Sequence, residues 1–452
     1  TVYREWKTQR IDEHLDDVAP VHLVRTDAAV VATLRGREAA EGEAVRAPVL
    51  EERVLLLDAE PQLAGSCNTA QPFTPATMQA FLATQVITDE PGLWRALRTL
   101  RKHVMLRVIA RDLTGRAVLE EVVATATGLA EITVSTALRH LDRWFTERHG
   151  EPKGSTSGTP QQLHVVGMGK LGGRELNVAS DIDLIFAYPE EGELPDRKQI
   201  SYSEFFTRLC QKLVKVLDDI TVDGFVFRTD IRLRPFGDSG AVILSFDGME
   251  NYYLTQAREW ERYAMIKARQ VAGDFKMGAQ LMAMLKPFVY RRYLDYGAFE
   301  ELRSLKLQIT QELKRKDRME NIKLGPGGIR EIEFVGQAFQ LIRGGHEKSL
   351  QTRGILDVLA TLDNLNLLPH VDAEQFSQSY RFLRRVENHI QQYQDRQTHD
   401  LPTSGTAQLI LAYSLGFEDW QSFKTELDRV RASVQAVFDQ VFAVSKQINK
   451  DK

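Results

Sequence analysis

Cysteine is scarce in this chain. Its 452 residues include two, Cys67 and Cys210, far apart in sequence. Two isolated thiols build neither a disulfide framework nor a CxxC zinc site, which suits a reducing, cytoplasmic setting. Long apolar runs are missing too. A bilayer crossing needs roughly 20 consecutive apolar residues. The best stretch, residues 122–138, is broken by small and polar side chains and by Glu131, so no membrane association is expected. The opening residues lack a charged start followed by a greasy core, so no signal peptide is expected. Excess charge of either sign is absent: 58 Lys+Arg stand against 62 Asp+Glu, a net charge of −4. That balance argues against a general nucleic-acid coat, because such proteins carry net positive charge to release counterions, and leaves a local basic groove open. Repeats of fixed period are also missing. The chain opens on Thr1 rather than Met, which leads us to expect a piece of something longer.

What is present is ordinary globular composition, 43% hydrophobic and 27% charged, in a length that suggests about three domains. Residues 1–75 give no clear pattern. From residue 75 to about 149 the pattern is helical. Leu93, Leu97, Leu100, Val104, Val108 and Ile109 recur at three- and four-residue steps, the spacing of one helix face. Arg95, Arg98, Arg101, Lys102 and Arg107 fill the remaining positions, which reads as a solvated basic face. Residues 150–160 are rich in Gly, Ser, Thr and Pro and mark a linker. Short apolar strands are expected at 163–166 and 182–186, and an alternating one at 224–233. From about residue 275 the helical pattern returns to the end. We therefore expect a mostly helical region at 1–150, a mixed α/β domain at 151–275 and a helical bundle at 276–452.

The informative stretch is GMGKLGGRELNVASDIDLIF at 167–186. Its first six residues match G-x-G-x-x-G after a strand, which invites a dinucleotide-binding reading. Geometry excludes it. A parallel crossover needs a dozen or more residues including a helix, and the next strand begins too soon after Gly172. A P-loop fails as well, because Lys170 is followed by Leu. The second half of the stretch is sharper. Asp181 and Asp183 are two apart in a strand-like run, so both carboxylates project from one face while Ile182 and Leu184 enter a core. Adjacent carboxylates repel, and a divalent cation between them removes the conflict. Hard carboxylate oxygens suit Mg²⁺, which also bridges to phosphate.

A third carboxylate lies in VFRTDIRLR at 226–234. Read as one strand, Phe225, Phe227, Thr229, Ile231 and Leu233 face one side. Arg228, Asp230, Arg232 and Arg234 face the other, one acid among guanidiniums that grip phosphate oxygens bidentately. Elsewhere, Gly325–Gly328 opens onto a helical run, either an anion-friendly helix start or a tight turn that packs the bundle. Glu331 and Glu333, two apart on a helix, do not share a face and are not paired as metal ligands. His399-Asp400 spells an HD dipeptide with no companion histidines and reads as a loop.

These motifs resemble a known family. The 167–186 stretch followed by DIRLRPFG at 230–237 is similar to nucleotidyltransferases of the DNA polymerase β-like superfamily, and more closely to the bifunctional glutamine synthetase adenylyltransferase/adenylyl-removing enzymes. REWERYAMIKAR at 258–269, FVYRRY at 288–293, KLGPGGIREIEF at 323–334 and Phe236 in RPFG resemble the N-terminal, adenylyl-removing half. No second nucleotidyltransferase motif is present, so the chain looks like a half-enzyme whose adenylyltransferase half lies elsewhere.

The resemblance implies an α+β fold, a small mixed sheet between helices and a helical bundle. It implies deadenylylation of glutamine synthetase, with phosphate attacking adenylyl-tyrosine to release ADP. Asp181, Asp183 and Asp230 would be catalytic and bind Mg²⁺, two ions in all, Asp230 either as a ligand or as the group that positions phosphate. Gly169, Gly172, Gly173 and Ser180 would hold nucleotide phosphates, and Arg232 and Arg234 would clamp them. Lys170 contacts phosphate or only packs its stem. Lys267 and Arg269 line the cleft, while Trp260 and Tyr263 pack a helix. The uridylylated PII protein is the expected activator. Two other readings stay open: the forward reaction from ATP on the same fold, and a non-catalytic module that binds glutamine synthetase or PII.

Overall fold

The computed structural model describes residues 70–194, 200–291, 318–393 and 397–448, with isolated positions between 304 and 315. Cys67 and residues 1–69 lie outside that set, as do Arg292 and Tyr293. The described residues fold as helices, a five-stranded sheet, then helices again, the mostly helical α+β class expected.

Helix α1 (Pro75–Ala83) starts where Thr74 accepts a hydrogen bond from Thr77 N, with proline in its first turn. Helix α2 (Glu90–Leu113) starts likewise on Asp89, whose carboxylate accepts from Gly92 N at 2.8 Å. A cap side chain of this kind satisfies a backbone donor that the helix itself leaves orphaned. Helix α3 (Leu119–His149) contains the small-residue stretch 122–138. Its buried Thr133 returns its hydroxyl proton to Leu129 O, so a polar side chain sits in a core without an unpaired donor. No described helix is long and apolar enough to cross a membrane.

The basic residues of α2 do not all form a solvated face. Arg98 is 1% exposed and donates to Val216 O, Asp219 O and Gly224 O. Val216 and Asp219 lie at the C-terminal end of helix α5 (Tyr202–Asp218). The guanidinium therefore caps carbonyls that the end of a helix leaves without partners. Arg101 lies over the Phe225 ring and Arg107 over Phe73.

Strands β1 (His164–Gly167) and β2 (Ile182–Tyr188) are antiparallel, joined by the one-turn helix α4 (Gly169–Gly172) and a loop. No helical crossover separates them, as the spacing demanded. Strand β3 (Thr229–Asp230) pairs parallel with the start of β2, and β4 (Ile243–Ser245) pairs parallel with its end. Helices α6 (Phe246–Thr255) and α7 (Glu259–Met265) follow. Strand β5 (Arg269–Ala272) closes the other side of β1. Next come α8 (Phe275–Val289), α9 (Ile329–Arg343), α10 (Ile355–Asn364), α11 (His370–Gln392), α12 (Gly405–Ser414) and α13 (Trp420–Ile448).

The sheet separates two hydrophobic cores, and the period of two along β2 decides which residue serves which. Ile182, Leu184, Phe186 and Tyr188 join α1–α3 and α5 on one side. Ile185 and Ala187 join the C-terminal helices on the other. Asp183 has the parity of Ile185 and Ala187 and is the one β2 residue that is not buried. Its carboxylate therefore leaves the sheet toward the side of the C-terminal helices.

One expected element is much shorter than the sequence implies. Across 224–233 the strand is two residues, Thr229 and Asp230, preceded only by an isolated bridge from Gly224 to Thr221, and beyond Asp230 the chain turns. The Asp230 carboxylate accepts the backbone N–H of Arg232 at 2.9 Å. That local bond competes with a ladder, and Pro235 with Gly237 ends any return to extended structure. Alternation of side chains consequently stops at Asp230.

Candidate active site

Asp181, Asp183 and Asp230 come together. Each offers a carboxylate oxygen, these lie within 4.8 Å of one another, and all three residues are half-buried. Two local rules and one long-range rule produce this. Asp181 and Asp183 are two apart in extended backbone. The parallel register of β2 and β3 sets Asp183 directly beside Asp230, and neighbours in register project from the same face. Arg232 brings a cation to this group. Arg232 Nη2 lies 2.6 Å from Asp230 Oδ2, and its Nε donates to Asp230 Oδ1 at 3.0 Å. The hydrogen bond to Asp230, with the charges of Asp230, Asp238 and Asp183, holds that guanidinium above its ordinary range against burial.

The glycine turn lies against the acids. Gly169 has φ +52°, and a Cβ built there would sit 2.9 Å from Asp183 Oδ2. Any side chain at 169 would enter the site as well as strain the backbone. Met168 N donates to Asp183 O at 2.9 Å, fixing the turn to the strand. Gly172 answers a different demand: its Cβ would lie 1.9 Å from Lys267 O. Gly173 follows as the cap of α4. Ser180 is buried and immediately precedes Asp181.

Other expected site residues are engaged elsewhere. The Lys170 ammonium lies 2.8 Å from Glu387 of α11, whose side chain is wholly buried. Arg234 does not project from a strand; it donates to Ile231 O at 2.9 Å and to Asp238 O at 3.3 Å, holding its own turn. Arg228 lies over Phe225. Lys267 does not line an open cleft: it is buried between Glu175 and Glu333 at 2.7 and 3.0 Å. Burial opposes its charge, and the two carboxylates more than offset that, raising the ammonium above its usual range. Arg269 pairs with Glu131 and donates to Leu171 O and Gly172 O.

Tyr263 packs edge-on to Phe334. Gly325–Gly328 is a packing turn. A Cβ at Gly327 would lie 2.0 Å from Arg431 O, and Arg431 donates to Pro326 O and Met319 O. Asp400 binds Arg318 and Asn321, so His399-Asp400 is part of a loop contact. Glu331 and Glu333 form no metal group among the described residues.

Sequence reasoning missed the polar seam behind the motif. Glu175, Asn177, Arg384, Glu387 and Asn388 are all buried. Arg384, Glu387, Asn388 and Gln391 recur at helical spacing on one face of α11, a polar stripe in its buried C-terminal half. That pattern was readable as a face turned toward another polar element.

Hard oxygen donors converging from two strands fit a divalent cation such as Mg²⁺. Phe236, exposed and in left-handed backbone at φ 60°, sits on the loop that follows Asp230 with its ring edge-on to Tyr252 at 4.5 Å.

Residues 47–284 match the family model described as glutamate-ammonia ligase adenylyltransferase. Residues 303–442 match the model described as GlnD PII-uridylyltransferase. Among curated relatives, the bifunctional glutamine synthetase adenylyltransferase/adenylyl-removing enzyme of Nitrosococcus oceani is 53% identical over 392 residues, covering 86% of this chain and 40% of the relative. The protein of the same description in Methylococcus capsulatus is 54% identical over 361 residues, 80% and 38% of the two chains. That of Pseudomonas aeruginosa is 48% identical over 410 residues, 90% and 41%. The chain thus spans about two fifths of the length of these relatives.

Proposed function

Because the chain belongs to the glutamate-ammonia ligase adenylyltransferase family, we propose that it is a nucleotidyltransferase that removes AMP from glutamine synthetase by phosphorolysis. The observation that carries a phosphoryl-transfer reading is the meeting of Asp181, Asp183 and Asp230. The direction of the reaction rests on the segments at 258–269, 288–293 and 323–334 and on Phe236, which resemble the adenylyl-removing half. Within the chain we place a nucleotidyltransferase domain at 151–275, preceded by the helices described from residue 75 onward and followed by a helical bundle.

In this reading a phosphate oxygen bonds to the α-phosphorus of adenylyl-tyrosine while the bond to the phenolic oxygen breaks. ADP forms, and the tyrosine takes up a proton. Asp181, Asp183 and Asp230 would hold Mg²⁺. When bound, such ions stabilise charge on the attacking and leaving oxygens. The chain's own groups do the rest. Gly169 keeps the space beside Asp183 clear so that backbone, not a side chain, faces the phosphoryl group. Gly172 and Gly173 shape that turn, and the Ser180 hydroxyl is offered beside Asp181. Arg232 contacts both Asp230 and the incoming phosphate, which suits a fork-shaped cation. Lys170 and Arg234 serve structure in this assignment, because the ammonium is held by Glu387 and the guanidinium holds carbonyls of its own turn. Phosphate is already a nucleophile at neutral pH, so no strong base is required.

The substrate is adenylylated glutamine synthetase, and uridylylated PII is the proposed activator. Incubation of the chain with adenylylated glutamine synthetase, Mg²⁺ and phosphate should release ADP. Incorporation of AMP from ATP without phosphorolysis would overturn the direction proposed here.

A further inference from the structure

The loop that delivers Asp181 is clamped at both ends by one carboxylate from a distant helix. Glu387 of α11 is fully buried, 0% exposed. Its Oε1 lies 2.8 Å from Lys170 Nζ, at the start of the segment leading to the acids. Its Oε2 accepts from Asn177 Nδ2 at 2.8 Å, near the end of that segment. Arg384, one turn earlier on α11, reaches Glu387 Oε2 at 3.0 Å and donates to Glu175 O and Asn177 Oδ1. Asn388 Oδ1 accepts from Val178 N at 3.4 Å. On the far side of the same loop, Glu175 pairs with Lys267 and accepts from Ile355 N. The clamped segment begins beside Gly169, which faces the Asp183 carboxylate, and ends at Asn177, four residues before Asp181.

Taking a carboxylate wholly out of water is expensive, and a buried ion pair is weak evidence of added stability. Burial alone would push the Glu387 carboxyl upward. Lys170, the His399 hydrogen bond and Arg384 outweigh it and hold Glu387 well below the usual carboxylate range. The charge is therefore kept. What it secures is the separation and orientation of the two ends of the loop, the kind of support that fixes first ligands in place.

We propose that Glu387 is a positioning residue for the acidic triad: through Lys170 and Asn177 it sets the geometry in which Asp181 and Asp183 bind a divalent cation. The C-terminal helices, matched by a different family model from the triad, would then be part of the metal site's construction. This inference rests on the metal reading of the triad proposed above.

The test is Mn²⁺ binding to the whole chain, followed by electron paramagnetic resonance of the free ion. Lys170→Met is the deciding variant, because positioning and electrostatics give opposite signs. Removing a nearby positive charge would by itself tighten cation binding. Loss of the clamp loosens it, by roughly tenfold as for supporting residues in other metal sites. Glu387→Gln should also loosen Mn²⁺ by about tenfold. Val434→Ala, a core truncation on α13, should lower the melting temperature and leave Mn²⁺ affinity unchanged. Lys170→Met that binds Mn²⁺ as tightly as wild type, or more tightly, overturns the proposal. So does a folded Glu387→Gln with wild-type affinity. If Glu387→Gln does not fold, Lys170→Met decides alone, since Glu387 keeps Arg384, His399 and Asn177 as partners in that variant. A wild-type chain that binds no Mn²⁺ removes the metal reading itself, and this inference with it.

Discussion

At Asp183 the strand's pleat, the register with β3 and the turn at Gly169 all act on one side chain. Asp183→Asn keeps the shape and removes half of a charge conflict, so it should abolish ADP release while holding or slightly raising the melting temperature. Unchanged turnover would refute the role given to this carboxylate. Gly169→Ala adds a methyl group 2.9 Å from Asp183 Oδ2 at a positive φ. It should cost about 1–2 kcal/mol in stability and depress activity further than that loss explains, read from urea unfolding and initial rates on one preparation. Arg232→Ala should raise the KM for phosphate by about tenfold, equivalent to about 1.4 kcal/mol, and tighten Mn²⁺ as Asp230 loses its partner. A KM that does not move would transfer the phosphate contact to another group. Asp181 and Asp183 were readable because alternation along a strand is a local property. Asp230 could be joined to them only by resemblance, since a parallel register is set by the fold. Arg234 holds the carbonyls of its own turn, and a side chain that binds backbone leaves no pattern in composition.

Among the elements, the two apolar strands and the helices at 75–149 follow from periodicity, and the structure has them. The strand at 224–233 does not survive past Asp230, because a carboxylate that bonds to the backbone two residues on favours a turn over a ladder. Helix α2 shows the same limit. Its apolar face was plain, but Arg98 sits in the basic pattern and is used as a cap for α5. Spacing alone cannot distinguish a buried arginine from a solvated one. Replacing Arg98 with Met should therefore do what no surface arginine would. It removes the guanidinium donors to the carbonyls of Val216 and Asp219, while Gly224 O keeps Thr221 N and Oγ1, and should lower stability by about 3 kcal/mol in urea titration. A change below about half a kcal/mol, the usual range for a surface substitution, would mean that the cap has no energetic role.

Across the molecule, the sheet is shared by two cores, and its acid limb of stability should report that burial. His164 of β1 is 0% exposed, edge-on to Phe246 and 3.2 Å from Gln270. Burial draws its pKa down to about 4, with Asp274 opposing. The unfolded chain therefore binds more protons than the native one between about pH 4 and the ordinary histidine value. Stability is full above about pH 6.5 and falls as the pH drops toward 4, by on the order of 3 kcal/mol from this residue. His164→Gln should flatten that limb when urea midpoints at pH 5 and pH 7 are compared; an equal slope in both proteins would contradict the assignment. The order of helices, sheet and helices was legible along the chain. The seam between α11 and the glycine turn was not, since it joins residues more than two hundred positions apart. The account as a whole depends on divalent ions held among three carboxylates, and diffraction from crystals soaked with Mn²⁺ and ADP tests that most directly. An anomalous peak enclosed by Asp181, Asp183 and Asp230, with nucleotide phosphate beside Gly169, is the predicted result. Manganese bound only elsewhere, with the three carboxylates unliganded, would contradict it.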